Sequence, residues 1–171
     1  MINISFKPGA LEKIMRINAR TRLGWERLEE VAGKYDVVGA RILDVGIHGD
    51  IRPGGHKYMF KAASYETIDI DPDVQPMHVG DIREMVFEDE TFDMVICYAV
   101  LEHVLKDRDK AYKELLRVVK IGGTLCILVP TTLDRETEPS SSVTLQELKD
   151  VYPGAVIKTF EDNNRYVEVV K

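Results

Sequence analysis

Short apolar runs alternate with amphipathic stretches along this chain. The runs Arg41–Val45 and Thr91–Tyr98 are mostly apolar, and such continuity is typical of parallel strands that are covered on both faces. Apolar residues recur at helical spacing over residues 8–33 and, most clearly, over Asp109–Lys120, where Gly122-Gly123 is expected to end the helix. Alternating strands and helices predict an α/β protein.

The rest of the pattern completes a sheet. Thr144 and Glu147 form a capping box that begins a helix, and the polar turn at residues 161–164 joins two strands as an antiparallel hairpin. We predict a helix near His56–Ala63 and further strands at Tyr65–Ile70, Met77–Val79, Thr124–Val129, Ala155–Phe160 and Arg165–Val170.

Only about five residues, Asp71–Gln75, separate the second and third strands. A helical crossover needs about a dozen residues. Either the third strand is a short edge strand without its helix, or it is not a strand. We predict a Rossmann-like, doubly wound, mostly parallel seven-stranded sheet with an antiparallel C-terminal strand and helices on both faces. Residues 36–171 form this domain, and residues 1–35 form an N-terminal helical extension.

Composition narrows the class of protein. The net charge of −6 argues against nucleic-acid binding, which requires clustered Lys and Arg. No apolar run reaches the ~20 residues of a membrane span, and no signal peptide is evident. Cys97 and Cys126 lie within apolar runs, as buried free thiols do in a reducing compartment. We expect a cytoplasmic protein with no nucleic-acid or membrane partner.

Carboxylates stand where two of the predicted strands end. Asp44 leads into a turn that begins at Gly46, and Asp69 closes the next strand. This combination is typical of nucleoside-binding α/β sheets, because the turn lets a ligand approach the backbone and the acid can hold ribose hydroxyls. The Gly-x-Gly-x-x-Gly pattern of dinucleotide-dependent dehydrogenases is absent.

Several motifs in a fixed order extend this interpretation. They are Asp44-Val45-Gly46, Ile68–Pro72, Val79–Ile82, Phe92–Cys97, Val100–Val104 and Leu116–Leu125. With these motifs, the chain resembles the class I S-adenosylmethionine-dependent methyltransferases, and most closely the small single-domain type (methyltransferase type 11-like) with a Leu-Glu-His motif after strand four.

The resemblance implies S-adenosylmethionine as cofactor. The turn Gly46–Gly49, which includes Ile47 and His48, would pass under its methionine part. Asp44 would support that turn or the cofactor's amino group. Asp69 would accept hydrogen bonds from both ribose hydroxyls, since the two oxygens of a carboxylate suit a vicinal diol.

The resemblance also implies residues for the base and the sulfonium. Asp81 would accept a hydrogen bond from the adenine amine, and Ile70 and Ile82 would lie on either side of the ring. Cys97 and Tyr98 would line the floor beside the sulfonium. Taken alone, an acid at a strand end can simply cap the next turn, and the two isoleucines can be plain core.

The first motif departs from the family pattern of acid-x-Gly-x-Gly-x-Gly. His48 and Asp50 occupy the second and third glycine positions, and a side chain at the second position narrows the site. Either this turn has lost catalytic competence, or His48, Asp50 and His56 reach the substrate. The alternative function is therefore a non-catalytic S-adenosylmethionine-binding or partner-binding relative.

Candidate catalytic residues follow strand four. His103 is the first candidate for a base or substrate orienter, because an imidazole exchanges protons near neutral pH, and Glu102 is the second. His103 could instead cap the strand–helix turn. By default the acceptor is a small molecule, such as a metabolite or a glycan or lipid precursor, and no cluster has metal-ligand spacing. The pocket is either open or completed by another subunit, as in a homodimer.

Overall fold

The computed structural model describes residues 26–47, 55–130, 143–159 and 164–171. The predicted helix over residues 8–25 and the predicted turn at residues 161–163 lie outside them. The helices are α1 (residues 26–35), α2 (Arg108–Val118) and α3 (Leu145–Val151). The strands are β1 (Arg41–Val45), β2 (Ser64–Asp69), β3 (His78–Val79), β4 (Phe92–Tyr98), β5 (Val119–Pro130), β6 (Val156–Thr159) and β7 (Asn164–Val170).

The strands form one seven-stranded sheet in the order β3-β2-β1-β4-β5-β7-β6. All pairs from β3 to β5 are parallel, whereas β7 runs antiparallel to both β5 and β6. The predicted mostly parallel sheet with an antiparallel C-terminal strand is thus confirmed. Strand order reverses between β1 and β4, and ligands of open α/β sheets bind at the carboxyl ends of the strands beside such a reversal.

Each face of the sheet carries its own apolar layer. Leu28 and Val31 of α1 pack on one face together with Cys126. Leu115 of α2 and Leu148 of α3 pack on the other face, where Cys97 is buried. The prediction of helices on both faces is therefore confirmed. None of the helices in the described ranges has the length and apolarity needed to span a membrane.

The third strand is a short edge strand. It has two residues, and a 3-10 turn at Pro72–Val74 replaces the missing crossover helix. Asp71 accepts a hydrogen bond from the Asp73 amide (2.9 Å) and so begins this turn. The first of the two alternatives for this segment is thus confirmed.

The helix predicted over His56–Ala63 is wrong. Only a 3-10 turn at Lys57–Met59 forms there. One carboxylate oxygen of Asp36 accepts hydrogen bonds from the amides of residues 61, 62 and 63, at 2.7, 2.7 and 3.1 Å. These amides are held by a side chain 25 or more residues away, and the segment continues into β2 instead of a helix.

Neither Gly122-Gly123, which was expected to end a helix, nor Gly33, a residue type suited to a helix C-terminus, ends one. Helix α2 ends at Val118 and β5 begins at Val119, so Gly122-Gly123 lies within the strand. Gly122 has a φ of +80°, and the pairing of β4 with β5 shifts register between Phe92 and Met94. The glycine pair therefore marks a strand irregularity. Helix α1 similarly continues past Gly33 to residue 35.

Candidate functional site

A cleft of about 180 Å³ opens at the carboxyl ends of β1 and β2, next to the segment that follows β4. It brings together six residues predicted from the sequence: Gly46, Asp69, Ile70, Asp81, Ile82 and His103. These residues are far apart along the chain, and the parallel strands carry them to one edge of the sheet. The cleft lies beside the reversal of strand order, as expected for an open α/β sheet.

Gly46 forms the turn at the end of β1. Its φ is +77°, and a Cβ built on it would lie 2.1 Å from Cγ2 of Val100. Its amide donates to the carbonyl oxygen of Ile68 at 2.9 Å, which ties the turn to β2. Glycine suits this position because it adopts positive φ freely and lets the Val100 segment approach the backbone.

Asp69 is a half-buried residue at the end of β2. Its Oδ1 accepts a hydrogen bond from the amide of Asp71 at 2.9 Å. This contact orients the carboxylate at the rim of the cleft. A carboxylate has about four lone-pair sites, so an oxygen that accepts one amide can still accept a hydroxyl.

Asp81 forms an ion pair with Arg83, a lining residue of the cleft that was not predicted from the sequence. Nε and Nη2 of Arg83 donate to the two Asp81 oxygens at 2.5–3.1 Å, and the Arg83 amide donates at 2.8 Å. These hydrogen bonds hold the pKa of the Asp81 carboxyl below its ordinary value. Asp81 therefore faces the cleft as an ionised acceptor.

The walls of the cleft are apolar. Both Ile70 and Ile82 line the cleft. The Ile70 side chain is 66% exposed, whereas Ile82 is 8% exposed and is largely packed into the protein. Several apolar or small residues of the lining were not predicted as site residues from the sequence: Val45, Ile68, Gly80, Val100, Val104 and Leu105. Their position could have identified them, since Leu105 directly follows the Val100–Val104 motif and the other five lie inside the family motifs.

Asp44 lies behind the cleft and is fully buried. Its Oδ2 accepts hydrogen bonds from Nδ1 of His56 (2.7 Å), from the His56 amide (2.9 Å) and from the Tyr65 hydroxyl. Burial acts to raise the pKa of Asp44, but the charge and hydrogen bonds of His56 and Tyr65 outweigh it, and the pKa lies below its ordinary value. These contacts anchor the chain where it returns to the sheet at Gly55-His56.

Other predicted site residues lie elsewhere. Ile47, Cys97 and Tyr98 are buried and are not among the lining residues of the cleft. Burial is the main cause that raises the pKa of the Cys97 thiol well above its ordinary value. His48 and Gly49 lie outside the described residues.

Glu102 and His103 lie in a 3-10 turn, Leu101–His103, directly after β4. The His103 amide donates to the carbonyl oxygen of Val100 at 2.9 Å, which fixes the turn. The His103 side chain is exposed and lines the cleft, whereas Glu102 is half-buried and is not among the lining residues. The turn thus gives the cleft one titratable imidazole.

Comparisons with known proteins agree with this geometry. A family profile described as a methyltransferase domain matches residues 51–127. The ubiquinone/menaquinone biosynthesis C-methyltransferase UbiE of Idiomarina loihiensis is 33% identical over 95 residues, which are 52% of this chain and 35% of that protein. Over residues 51–127 the chain is therefore similar to methyltransferases.

Solved structures show the same fold. An S-adenosylmethionine-dependent methyltransferase from Aquifex aeolicus superposes with a TM-score of 0.61 at 19% identity, covering 97% of this chain and 100% of that one. Phosphoethanolamine N-methyltransferase 2 of Haemonchus contortus, solved with S-adenosyl-L-methionine, has a TM-score of 0.61 at 17% identity, covering 80% and 39%. The chain spans about a third of the length of UbiE and the whole of the solved Aquifex aeolicus chain.

Proposed function

We propose that this methyltransferase domain binds S-adenosylmethionine in the cleft and transfers its methyl group to a small-molecule acceptor. The observation that carries the proposal is the pair of carboxylates, Asp69 and Asp81, at one edge of the sheet beside the Gly46 turn. The similarity to methyltransferases supports methyl transfer as the reaction. The small-molecule acceptor is inferred from the net charge of −6, which disfavours a nucleic acid as the acceptor.

The lining residues suit an adenosyl group. Gly46 lines the cleft at the end of β1, so its turn borders the space in which a ligand would lie. Asp69 retains acceptor capacity for two vicinal hydroxyls, and such charge-assisted hydrogen bonds contribute roughly 1.5–3 kcal/mol. Asp81 suits an exocyclic amine because it remains ionised beside Arg83. Ile70 and Ile82 offer apolar surface for the faces of a purine.

When bound, S-adenosylmethionine supplies an activated methyl group on a sulfonium that is already a good leaving group. The residues of this chain then have mainly to align the acceptor with that methyl, and alignment can lower a barrier by roughly 7–11 kcal/mol. His103 is the residue we propose to receive a proton from an acceptor that must lose one. We propose Glu102 as a supporting carboxylate in the same turn, and Asp44 as the residue that supports the first turn through His56.

Isothermal titration calorimetry with S-adenosylmethionine and S-adenosylhomocysteine tests the binding step. We expect both to bind, and Asp69→Ala to weaken binding at least tenfold because two hydrogen bonds to the ribose are lost. Asp73→Ala is a matched control, since Asp73 is exposed and is not among the residues lining the cleft. An unchanged dissociation constant for Asp69→Ala would show that the ribose assignment is wrong.

A methyl-transfer assay distinguishes an enzyme from the alternative, a non-catalytic S-adenosylmethionine-binding or partner-binding relative. Methyl transfer would be followed with radiolabelled S-adenosylmethionine across a panel of small-molecule oxygen, nitrogen and carbon acceptors. Transfer that is lost in His103→Ala, with cofactor affinity retained, would support the proposed proton acceptor. Binding without transfer to any acceptor would favour the non-catalytic relative, and failure of the wild-type protein to bind either compound would overturn the proposal.

A further inference from the structure

Helix α2 begins in an unusual way. Its N-cap residue, Asp107, has a φ of +55° and makes no capping hydrogen bond through its side chain. Arg108 then occupies the first helical position, where the positive end of the helix dipole disfavours a cation. The left-handed conformation costs a non-glycine residue roughly 1–2 kcal/mol. Local conflicts of this kind indicate that tertiary contacts hold the segment.

The side chain of Arg108 supplies such contacts in two directions. Its Nε donates to the carbonyl oxygen of Val104 at 3.0 Å. Its Nη1 donates to the two carboxylate oxygens of Glu147 in α3, at 3.2 and 3.4 Å. The Arg108 side chain is only 12% exposed, so solvent screens these contacts less than it would those of a surface ion pair. One guanidinium therefore links the segment after β4 to the first turn of α3.

Hydrogen bonds to other residues fix the position of the Glu147 side chain that binds this guanidinium. Its amide donates to the Thr144 hydroxyl at 3.1 Å, and its carboxylate accepts from the Thr144 amide at 3.3 Å, which closes the capping box. The hydroxyl of Tyr112 donates to Glu147 at 3.0 Å. Tyr152 in turn donates to the Tyr112 carbonyl oxygen at 3.0 Å. Because Glu147 is held from several sides, the position of Arg108 is defined by the protein core.

Val104 is the middle residue of a wall of the cleft formed by residues 103–105, all three of which line it. This wall carries His103 at one end and the exposed side chain of Leu105 at the other. The backbone hydrogen bonds of this wall to the described residues are short-range: the His103 amide donates to the Val100 carbonyl oxygen (2.9 Å) and the Val104 amide to the Leu101 carbonyl oxygen (3.2 Å). Arg108 thus ties this wall to a distant element.

We propose that Arg108 is a positioning residue, which fixes the wall at residues 103–105 against α3 so that the cleft keeps the shape that receives the cofactor. The inference rests on the proposed function, because it assigns the effect of Arg108 to cofactor binding. Arg108 does not line the cleft, so it acts through the Val104 carbonyl.

Calorimetry with S-adenosylhomocysteine and urea unfolding test this proposal on matched variants. Arg108→Ala releases both contacts, and we expect its affinity to fall at least fivefold. Lys113→Ala is the control on the same helix, because Lys113 is 80% exposed and pairs with Asp109 at 3.7 Å. We expect its affinity to remain within twofold of wild type.

Two further variants separate positioning from general destabilisation. Glu147→Gln weakens the ion pair that holds Arg108 against α3 but leaves the Val104 contact, so we expect lower stability and a loss of affinity smaller than that of Arg108→Ala. Arg108→Lys keeps the charge near Glu147 but has a single nitrogen that cannot reach both partners, so we expect stability near wild type and affinity near that of Arg108→Ala.

A folded Arg108→Ala or Arg108→Lys protein that binds S-adenosylhomocysteine as tightly as wild type would overturn the positioning role. A loss of affinity in Glu147→Gln that exceeds the loss in Arg108→Ala would also overturn it, because the effect would then not depend on the Arg108 guanidinium. If the wild-type protein does not bind S-adenosylhomocysteine, the proposed function itself is wrong, and the role of Arg108 in cofactor binding is wrong with it.

Discussion

Nδ1 of His56 lies 2.7 Å from Oδ2 of Asp44, and both side chains are at most 2% exposed. The two residues are twelve positions apart, and their contact joins the end of β1 to the point where the chain returns toward β2. A buried carboxylate is costly unless it is paired and hydrogen-bonded. This pair therefore makes the geometry behind the cleft depend on a single ionised group.

Asp44→Asn is expected to destabilise the protein. The carboxylate accepts three hydrogen bonds from His56 and Tyr65, and an amide in its place accepts them more weakly and adds a buried donor; a buried polar group left without a partner costs about 1–3 kcal/mol. Urea unfolding measures this loss. Asp109→Asn is the control, since Asp109 is 68% exposed in a surface pair, and it should change the free energy of unfolding by less than about 1 kcal/mol. Equal effects of the two variants would contradict the importance of the buried pair.

The same carboxyl predicts how stability depends on pH. The pKa of Asp44 is lower in the folded protein than its unfolded value of about 3.9, so the unfolded state binds more protons at acidic pH. The contribution of Asp44 is complete above the unfolded pKa and is lost as the pH falls through the folded pKa. We expect urea midpoints to fall steadily below about pH 4. Asp44→Asn should reduce this slope, and an unchanged slope would argue against the assignment.

Gly46→Ala should impair both stability and cofactor binding. The new Cβ would lie 2.1 Å from Cγ2 of Val100, and φ is +77°. Overpacking and the left-handed conformation together cost about 2–5 kcal/mol. Thermal unfolding checks this, and the double variant Gly46→Ala/Val100→Ala should recover part of the loss, because it relieves the contact but not the φ. A single variant as stable as wild type would contradict the packing described here.

Ala99→Gly is expected to stabilise the fold by up to about 1 kcal/mol. Ala99 is exposed and has a φ of +55°, a conformation that costs an L-residue roughly 1–2 kcal/mol, and the greater entropy of glycine in the unfolded chain offsets part of the gain. Its amide still donates to the carbonyl oxygen of Leu128. The measurement is the thermal midpoint. Ala111→Gly, at a buried helical position, should lower that midpoint.

The main strands could be predicted from the sequence because their signal is local. β1 and β4 are apolar runs covered on both faces, and their bounds agree with prediction to within a residue. The capping box at Thr144 is also local, since both of its hydrogen bonds lie within four residues. The helix predicted at His56–Ala63 failed because its amides bond to Asp36, a contact that no periodicity reveals.

In the candidate site, too, some residues could be predicted from local sequence signals and others depend on tertiary contacts. Gly46, Asp69 and Asp81 follow directly from strand ends and family motifs, and the cleft brings them together. Arg83 and Arg108 were missed because a single arginine has no distinctive sequence pattern. Their roles depend on which carboxylate or carbonyl the fold places beside them. Glycine was misleading at Gly122, because a positive φ serves a strand irregularity as readily as a helix end.

Cys97 and Cys126 occupy neighbouring register positions on β4 and β5 but belong to apolar layers on opposite faces of the sheet. The sheet itself therefore prevents them from forming a disulfide with each other in the native protein. Each thiol reports on one layer only. Reaction of a single-cysteine variant with a maleimide would thus measure how often the α1 side or the α2–α3 side opens, without the introduction of any foreign probe site.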